Sequence, residues 1–167
     1  MRLSMRPSRV FSSYTAISPD YFTRRGVRLL LTDLDFTLAP KSQQEPDDAL
    51  RRWLETLKEA GITVMILSNN RSPVRVERFC RDLGISYEGH AGKPSVKGFR
   101  RAMARQNVTP AETAMLGDKL LTDMLGANLA GVLPVMVEPL GGAVTLWQKV
   151  LHGLQRPWKA LAREKCD

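Results

Sequence analysis

Cysteine is nearly missing from this chain: Cys80 and Cys166 are the only two in 167 residues. That excludes a disulfide framework and a cysteine-built metal centre, and it fits a reducing compartment. Long apolar runs are missing as well. None approaches the ~20 residues that span a bilayer, and no apolar segment follows the first arginines as a secretory leader would require. Acidic residues are absent from the first 19 positions, which are rich in Arg and Ser, a composition shared with transit peptides. Gly and Pro are scattered and no repeat recurs, so disordered, collagenous and repeat architectures are excluded.

What is present suits one globular domain. The chain is 43% hydrophobic and 25% charged, and a domain of this size buries roughly 70% of its unfolded surface without staples. The formal net charge is +8. Residues 1–28 carry six Arg against Asp20, and residues 145–167 carry five Lys/Arg against Glu164 and Asp167. The stretch 29–144 is balanced, with 14 residues of each sign. The excess therefore sits in the flanks, as an anionic surface such as lipid headgroups or nucleic acid would favour, and as merely solvated ends would also show. The expected organisation is a basic arm over 1–13, a domain over 14–142 and a basic amphipathic helical tail over 143–167.

Apolar runs alternate with helical patterns. Strands are predicted at 28–31, 62–67, 85–87, 113–116 and 132–137. Helices are predicted from Pro46 to Gly61, from Pro73 to Gly84, over 95–106 and over 121–129, with proline at the starts and glycine at the ends of the first two. Strands separated by helices imply a mainly parallel five-stranded sheet with helices on both faces, an α/β fold. Ligands bind such sheets just beyond the carboxyl ends of the strands. Those ends deliver Asp33, Ser68 and Asp118, and Lys93 follows the short third strand.

Asp33 and Asp35, at i and i+2 after a buried strand, cost desolvation and repulsion unless they share a cation or a proton. A hard cation such as Mg²⁺ takes carboxylate oxygens, and this pair with Asp118 can hold one. Singly, each element has an ordinary explanation. Two acids suit any polar loop, Asp118 could cap the next helix, Ser68 could be a turn residue, and Lys93 could be solvated. Together, in this order and at these strand ends, the ordinary explanations lose force. His90 and His152 have no partners at ligand spacing and read as structural.

Asp33-Leu-Asp-Phe-Thr-Leu, Ser68 after a strand, Lys93 in a loop and Gly117-Asp118 with Asp123 resemble, in chain order, the four motifs of the haloacid dehalogenase phosphohydrolase superfamily. Ile17-Ser-Pro, Gly26-Val-Arg, Leu67-Ser-Asn-Asn, Gly92-Lys-Pro and Gly117-Asp-Lys-Leu-Leu-Thr-Asp resemble its class IIIA, YqeG-type group, which is related to phosphatidylglycerophosphate phosphatases. The resemblance covers about Tyr14 to Val137 and draws residues 14–26 into the domain, against a transit peptide. Phe36 departs from the group, which usually has Asn there.

The resemblance implies a Rossmann-like three-layer αβα core, Mg²⁺ and an aspartyl-phosphate. Asp33 would be the nucleophile, and Asp35 would protonate the leaving oxygen and then activate water. The Asp33 and Asp118 carboxylates and the Asp35 backbone carbonyl would hold Mg²⁺. Ser68 and Lys93 would bind the equatorial phosphate oxygens. Asp123 would hold a metal-bound water or orient Lys93, Asn69 would join Ser68 and Lys93 on the phosphate as a hydrogen-bond donor, and Thr37 would support by hydrogen bonding.

Independently of family, the intervals 38–67 and 69–92 are filled by one helix and one strand each, leaving no room for a cap domain. An open site suits a bulky phosphorylated substrate, of which a lipid headgroup is the leading expectation. In the tail, Trp147, Val150, Leu151, Leu154, Trp158 and Leu161 recur at helical spacing among Lys149, Arg156, Lys159 and Arg163. The pattern suits a membrane-interface helix or a stripe packed on the domain. The leading expectation is a cytoplasmic phosphomonoesterase acting on phosphatidylglycerophosphate, with peripheral contact to an anionic inner membrane as its companion. Alternatives are a soluble sugar phosphate, nucleotide or phosphoprotein substrate, and transfer to an acceptor other than water. A nucleic-acid-binding module is disfavoured, because no recognition motif is present.

Overall fold

The computed structural model describes residues 3–70 and 72–141. The expected tail over 143–167 lies outside the described residues. The chain folds as β1 (Arg9–Phe11), α1 (Pro19–Thr23), β2 (Leu29–Thr32), α2 (Asp48–Glu59), β3 (Thr63–Leu67), α3 (Val74–Leu83), β4 (Ser86–Glu88), α4 (Val96–Gln106), β5 (Thr113–Gly117), α5 (Leu125–Ala130) and β6 (Leu133–Val137). A π-helical turn, Leu120–Met124, leads into α5.

The strands form one sheet in the order β1-β6-β5-β2-β3-β4, and every neighbouring pair is parallel. β2 is central because it is apolar on both sides: Leu29, Leu30, Leu31 and Thr32 are all buried, as a strand covered by helices on both faces must be. Leu30, Val64, Ile66, Ala114 and Leu116 face one way, toward Leu50, Trp53 and Leu57 of α2 and Val76, Phe79 and Cys80 of α3. Leu29, Leu31, Met65 and Met115 face the other way, toward Phe99, Ala102 and Met103 of α4 and Ala127 of α5. The result is a three-layer sandwich, with each fully buried Leu or Phe contributing about 1.5–3 kcal/mol. α2 begins where the Asp47 side chain accepts from the backbone N–H of Leu50 at 2.8 Å, and α3 ends at Gly84 with φ +65°, a left-handed cap that costs glycine nothing.

The sheet has six strands rather than the expected five. β1 lies in the segment read as a basic arm, and its residues Arg9, Val10 and Phe11 pair with Val135, Met136 and Val137 of β6. Only Val10 of the three is fully buried, so an edge strand of this kind leaves no alternating or continuous apolar signal. Residues 14–26 pack into the core through Tyr14, Ile17 and Phe22. Among the described residues, no helix is long and apolar enough to cross a membrane, and no second domain stands between β2 and β4.

Candidate active site

The central strands of the sheet end together and hand their polar residues to one rim. Asp33 follows β2 and is pinned to the neighbouring β5, its N–H donating to Leu116 O at 3.0 Å. Ser68 follows β3, donating its N–H to Glu88 O and accepting at its own carbonyl from Ala91. Asp118 follows β5, and Asp123 lies on the π-helical turn, whose wider pitch returns a carboxylate toward the strand end. Lys93 arrives on the loop after β4.

These residues form one electrostatic cluster. Lys93 Nζ lies 2.8 Å from Asp123 Oδ1 and 3.3 Å from Asp33 Oδ1. Its side chain is 2% exposed, so the reading of Lys93 as a solvated loop lysine does not hold. Thr37 donates its hydroxyl to Asp118 Oδ1 at 3.2 Å. Oxygens of Asp33, Asp118 and Asp123 all lie within 4.8 Å of one another, a span one cation can bridge at metal–oxygen distances of about 2.0–2.6 Å. Asp123 was expected in an outer role, and the geometry puts it among the possible ligands. The side chain of Asp35 is outside this trio and turned to Arg75.

Burial acts to raise the Asp33 carboxyl, but the ammonium groups of Lys93 and Lys119 outweigh it and hold the group below its ordinary range. Asp33 is therefore ionised and able to act as a nucleophile. Burial pushes Asp118 up, against the pull of Lys119, and pushes Asp123 up to about 6, against that of Lys93. Burial would lower Lys93, but Asp123 and Asp33 reverse it and keep the amine protonated. Three carboxylates against two ammoniums leave a pocket with no surplus of positive charge to meet a phosphate dianion. A divalent cation among the acids would reverse that sign.

Asn69, expected on phosphate, is engaged elsewhere. Its side chain donates to Lys93 O at 3.0 Å and accepts from Lys93 N–H at 2.8 Å, so it fixes the loop that carries the lysine. Ser68 is buried, with Oγ accepting from Asn70 N–H at 3.0 Å. Two residues were missed in the sequence. Lys119 Nζ is 3.0 Å from Asp118 Oδ1 and 3.4 Å from Asp33 Oδ2, and its place directly after a strand-end acid was the available signal. Arg75, on α3, donates to Asp35 Oδ1 at 2.9 Å, and nothing in its surroundings in the sequence marks it. Beside Ser68 the rim continues into a cavity of about 280 Å³ lined by Asn70, Val76, Glu77, Tyr87 and His90 among others. A larger groove, of about 710 Å³ between α2 and α3, lies at the amino ends of β3 and β4 and contains none of these groups.

A family model described as haloacid dehalogenase-like hydrolase matches residues 15–131. The Bacillus subtilis protein named Probable phosphatase YqeG is 37% identical over 127 residues, which are 76% of this chain and 73% of that protein. Ribulose-1,5-bisphosphate 5-phosphatase of Halopiger xanaduensis is 29% identical over 125 residues, covering 70% of this chain and 52% of its own length. Among solved structures, the cobalt-bound deoxy-D-mannose-octulosonate 8-phosphate phosphatase of Haemophilus influenzae superposes with a TM-score of 0.53 at 20% identity, over 83% of this chain and 92% of that one. At that identity the likeness shows the fold alone.

Proposed function

This chain belongs to the haloacid dehalogenase-like hydrolases and is a phosphatase, and we propose that it is a Mg²⁺-dependent phosphomonoesterase whose nucleophile is Asp33 and whose substrate is phosphatidylglycerophosphate. The observation that carries the chemistry is the state of Asp33. It is a carboxylate at the end of the central strand, nearly out of water and kept ionised by Lys93 and Lys119.

An Asp33 oxygen attacks phosphorus as the bond to the leaving oxygen breaks, giving an aspartyl-phosphate. Asp35 gives its proton to the departing alkoxide, so a neutral alcohol leaves. Lys93, Lys119 and the Ser68 hydroxyl bind the equatorial oxygens, where charge spreads in a loose transition state. Asp35, now a carboxylate, takes a proton from water as that water attacks phosphorus, and phosphate departs from Asp33. Phosphatases of this family use a divalent metal. Mg²⁺ bound by Asp33, Asp118 and the Asp35 backbone carbonyl, with Asp123 in support, would supply Lewis-acid charge that lets an anionic nucleophile approach an anionic ester. Thr37 fixes Asp118 for that task, and Asn69 fixes Lys93.

Two features support a lipid ester. Among the described residues, no second domain covers the rim, so the substrate's own bulk must exclude water. The flanks also carry the whole positive excess of the sequence, as docking to an anionic bilayer favours. The cavity beside Ser68, polar through Asn70, Glu77, Tyr87 and His90, suits a glycerol-like alcohol. The similarity to ribulose-1,5-bisphosphate 5-phosphatase favours a second reading, a soluble sugar phosphate. Phosphate release from phosphatidylglycerophosphate in mixed micelles, set beside soluble sugar and glycerol phosphates, decides between them. A kcat/KM for the lipid at least ~10-fold above every soluble ester is expected, and parity or reversal would remove the lipid assignment.

A further inference from the structure

Arg75 makes an unusual set of contacts for a helix-surface arginine. It sits in the first turn of α3 and reaches across the rim to the loop that follows β2. Its Nε donates to Asp35 Oδ1 at 2.9 Å, Nη2 donates to Pro40 O at 3.0 Å, and Nη1 donates to Gln43 O. The guanidinium carbon lies 4.8 Å from the centre of the Phe79 ring. Both members of the ion pair are largely withdrawn from solvent, with side chains 16% and 20% exposed, so this is not a surface pair with its usual small worth.

We propose that Arg75 is the positioning residue of the acid–base step, fixing the orientation of the Asp35 carboxyl and of the loop that carries it. This rests on the reading of Asp35 as proton donor and acceptor. The chemistry of the guanidinium supplies the argument. It has five N–H donors, no acceptor, and no accessible neutral form. The carboxyl oxygen facing Nε–H must therefore accept, which fixes the rotation of the Asp35 carboxyl. Arg75 engages Oδ1 alone, and the proposed proton transfer uses the other oxygen, Oδ2. The bonds to Pro40 and Gln43 tie the same guanidinium to the loop that carries Asp35, so the carboxyl and its loop are set by one group. The competing role, direct binding of substrate phosphate, has only two of the five N–H groups left to it, because the other three donate to protein.

Leaving-group dependence tests this. A nitrophenolate departs without a proton, whereas an alkoxide needs one. kcat/KM reports steps through departure of the leaving group. Arg75→Gln should lower kcat/KM for glycerol phosphate by roughly 10–100-fold, part of what general acid catalysis supplies, and leave that for 2,4-dinitrophenyl phosphate within about twofold. Water activation is also impaired, so dinitrophenolate should appear in a burst followed by slow turnover. In an Asp35→Asn background the same substitution should cost nothing further, because two residues acting through one group are not additive. Each rate is normalised to the folded fraction measured by circular dichroism, so loss of folded protein cannot imitate either outcome. Equal loss for both esters, or multiplicative loss in the double variant, overturns the role of Arg75. If Asp35→Asn itself fails to separate the two esters, the acid–base reading of Asp35 falls and the proposal with it. Arg75→Lys, a point charge that cannot make all three bonds, should recover only part of the alkyl-ester rate.

Discussion

Lys93 and Asp123 meet at 2.8 Å with side chains 2% and 0% exposed, joining the loop after β4 to the turn after β5 across the end of β2. The pair is what lets three carboxylates share one pocket. A buried ion pair returns little net stability when intact, but removing one partner strands a charge, at a cost of about 3–5 kcal/mol. Lys93→Met should therefore lower the unfolding free energy in urea by about that much, measured in EDTA so that no cation masks the repulsion. Lys93→Met/Asp123→Asn should recover most of the loss and remain inactive, because the phosphate has lost its ammonium. A Lys93→Met protein as stable as wild type would contradict this electrostatic reading.

Asp123 also sets a pH dependence. Burial raises its folded-state carboxyl to about 6 despite Lys93, whereas an unfolded Asp titrates near 3.9. The folded state then holds the proton more tightly than the unfolded state. Its stabilising contribution is complete below the unfolded value and is lost as pH rises through about 6. Asp123→Asn cannot titrate. In metal-free buffer, wild type should lose stability relative to that variant between about pH 4 and 6, read from paired denaturation curves. A flat difference would show that the Asp123 carboxyl does not titrate differently in the two states.

Much of this site was legible in the sequence because parallel strands end in a row, and each buried apolar run of β2, β3 and β5 is followed by its polar residue. Asp33, Ser68 and Asp118 needed only that regularity, and Lys93 the loop that follows β4. Other features were not legible, for local physical reasons. β1 is three residues long with arginine at its first position and one buried side chain. Arg75 has its partners at Asp35, Pro40 and Gln43, 32 or more positions away, and arginines on α3 look alike until folded. Phe36 was visible as a departure from Asn without its reason. The position takes φ +65°, a conformation Asn tolerates and Phe adopts at a cost of about 1–3 kcal/mol. That cost is offset by burial of the ring to 6% exposure, with the Lys41 and Lys119 ammoniums 5.8 and 5.7 Å from its centre.

The nucleophile can be tested without knowing the substrate. Asp33→Asn keeps the size of the side chain and its backbone bond to β5, so circular dichroism should be unchanged. Turnover of any phosphate ester should fall by at least ~10⁴-fold, because no covalent intermediate can form. Acid quenching of wild type with ³²P-labelled substrate should trap label on protein that hydroxylamine releases, and the variant should trap none. EDTA should abolish turnover and Mg²⁺ restore it. Residual label on Asp33→Asn protein would move the nucleophile elsewhere.

Gly117, the last residue of β5, ties the strand to the acid cluster by having no side chain. A Cβ there would lie 2.3 Å from Asp123 Oδ2, 2.4 Å from its Cγ and 2.5 Å from its Cβ. Rotating the Asp123 side chain cannot relieve a clash with its own Cβ, so the turn itself must shift. That turn is held by the Lys93 ion pair and by the Lys119 backbone N–H donating to Asp123 Oδ2 at 3.2 Å. Gly117→Ala should therefore displace Asp123 and lower kcat by ~100-fold or more, the usual consequence of misplacing reacting groups by about 1 Å. Gly84→Ala is the contrasting case. A Cβ at Gly84 meets nothing within 4 Å, but φ is +65°, so it should cost about 1–2 kcal/mol of stability and leave kcat untouched. The two alanines separate backbone strain from site geometry, one losing activity and the other only melting temperature. Wild-type kcat in Gly117→Ala would mean that Asp123 need not stand where the fold puts it.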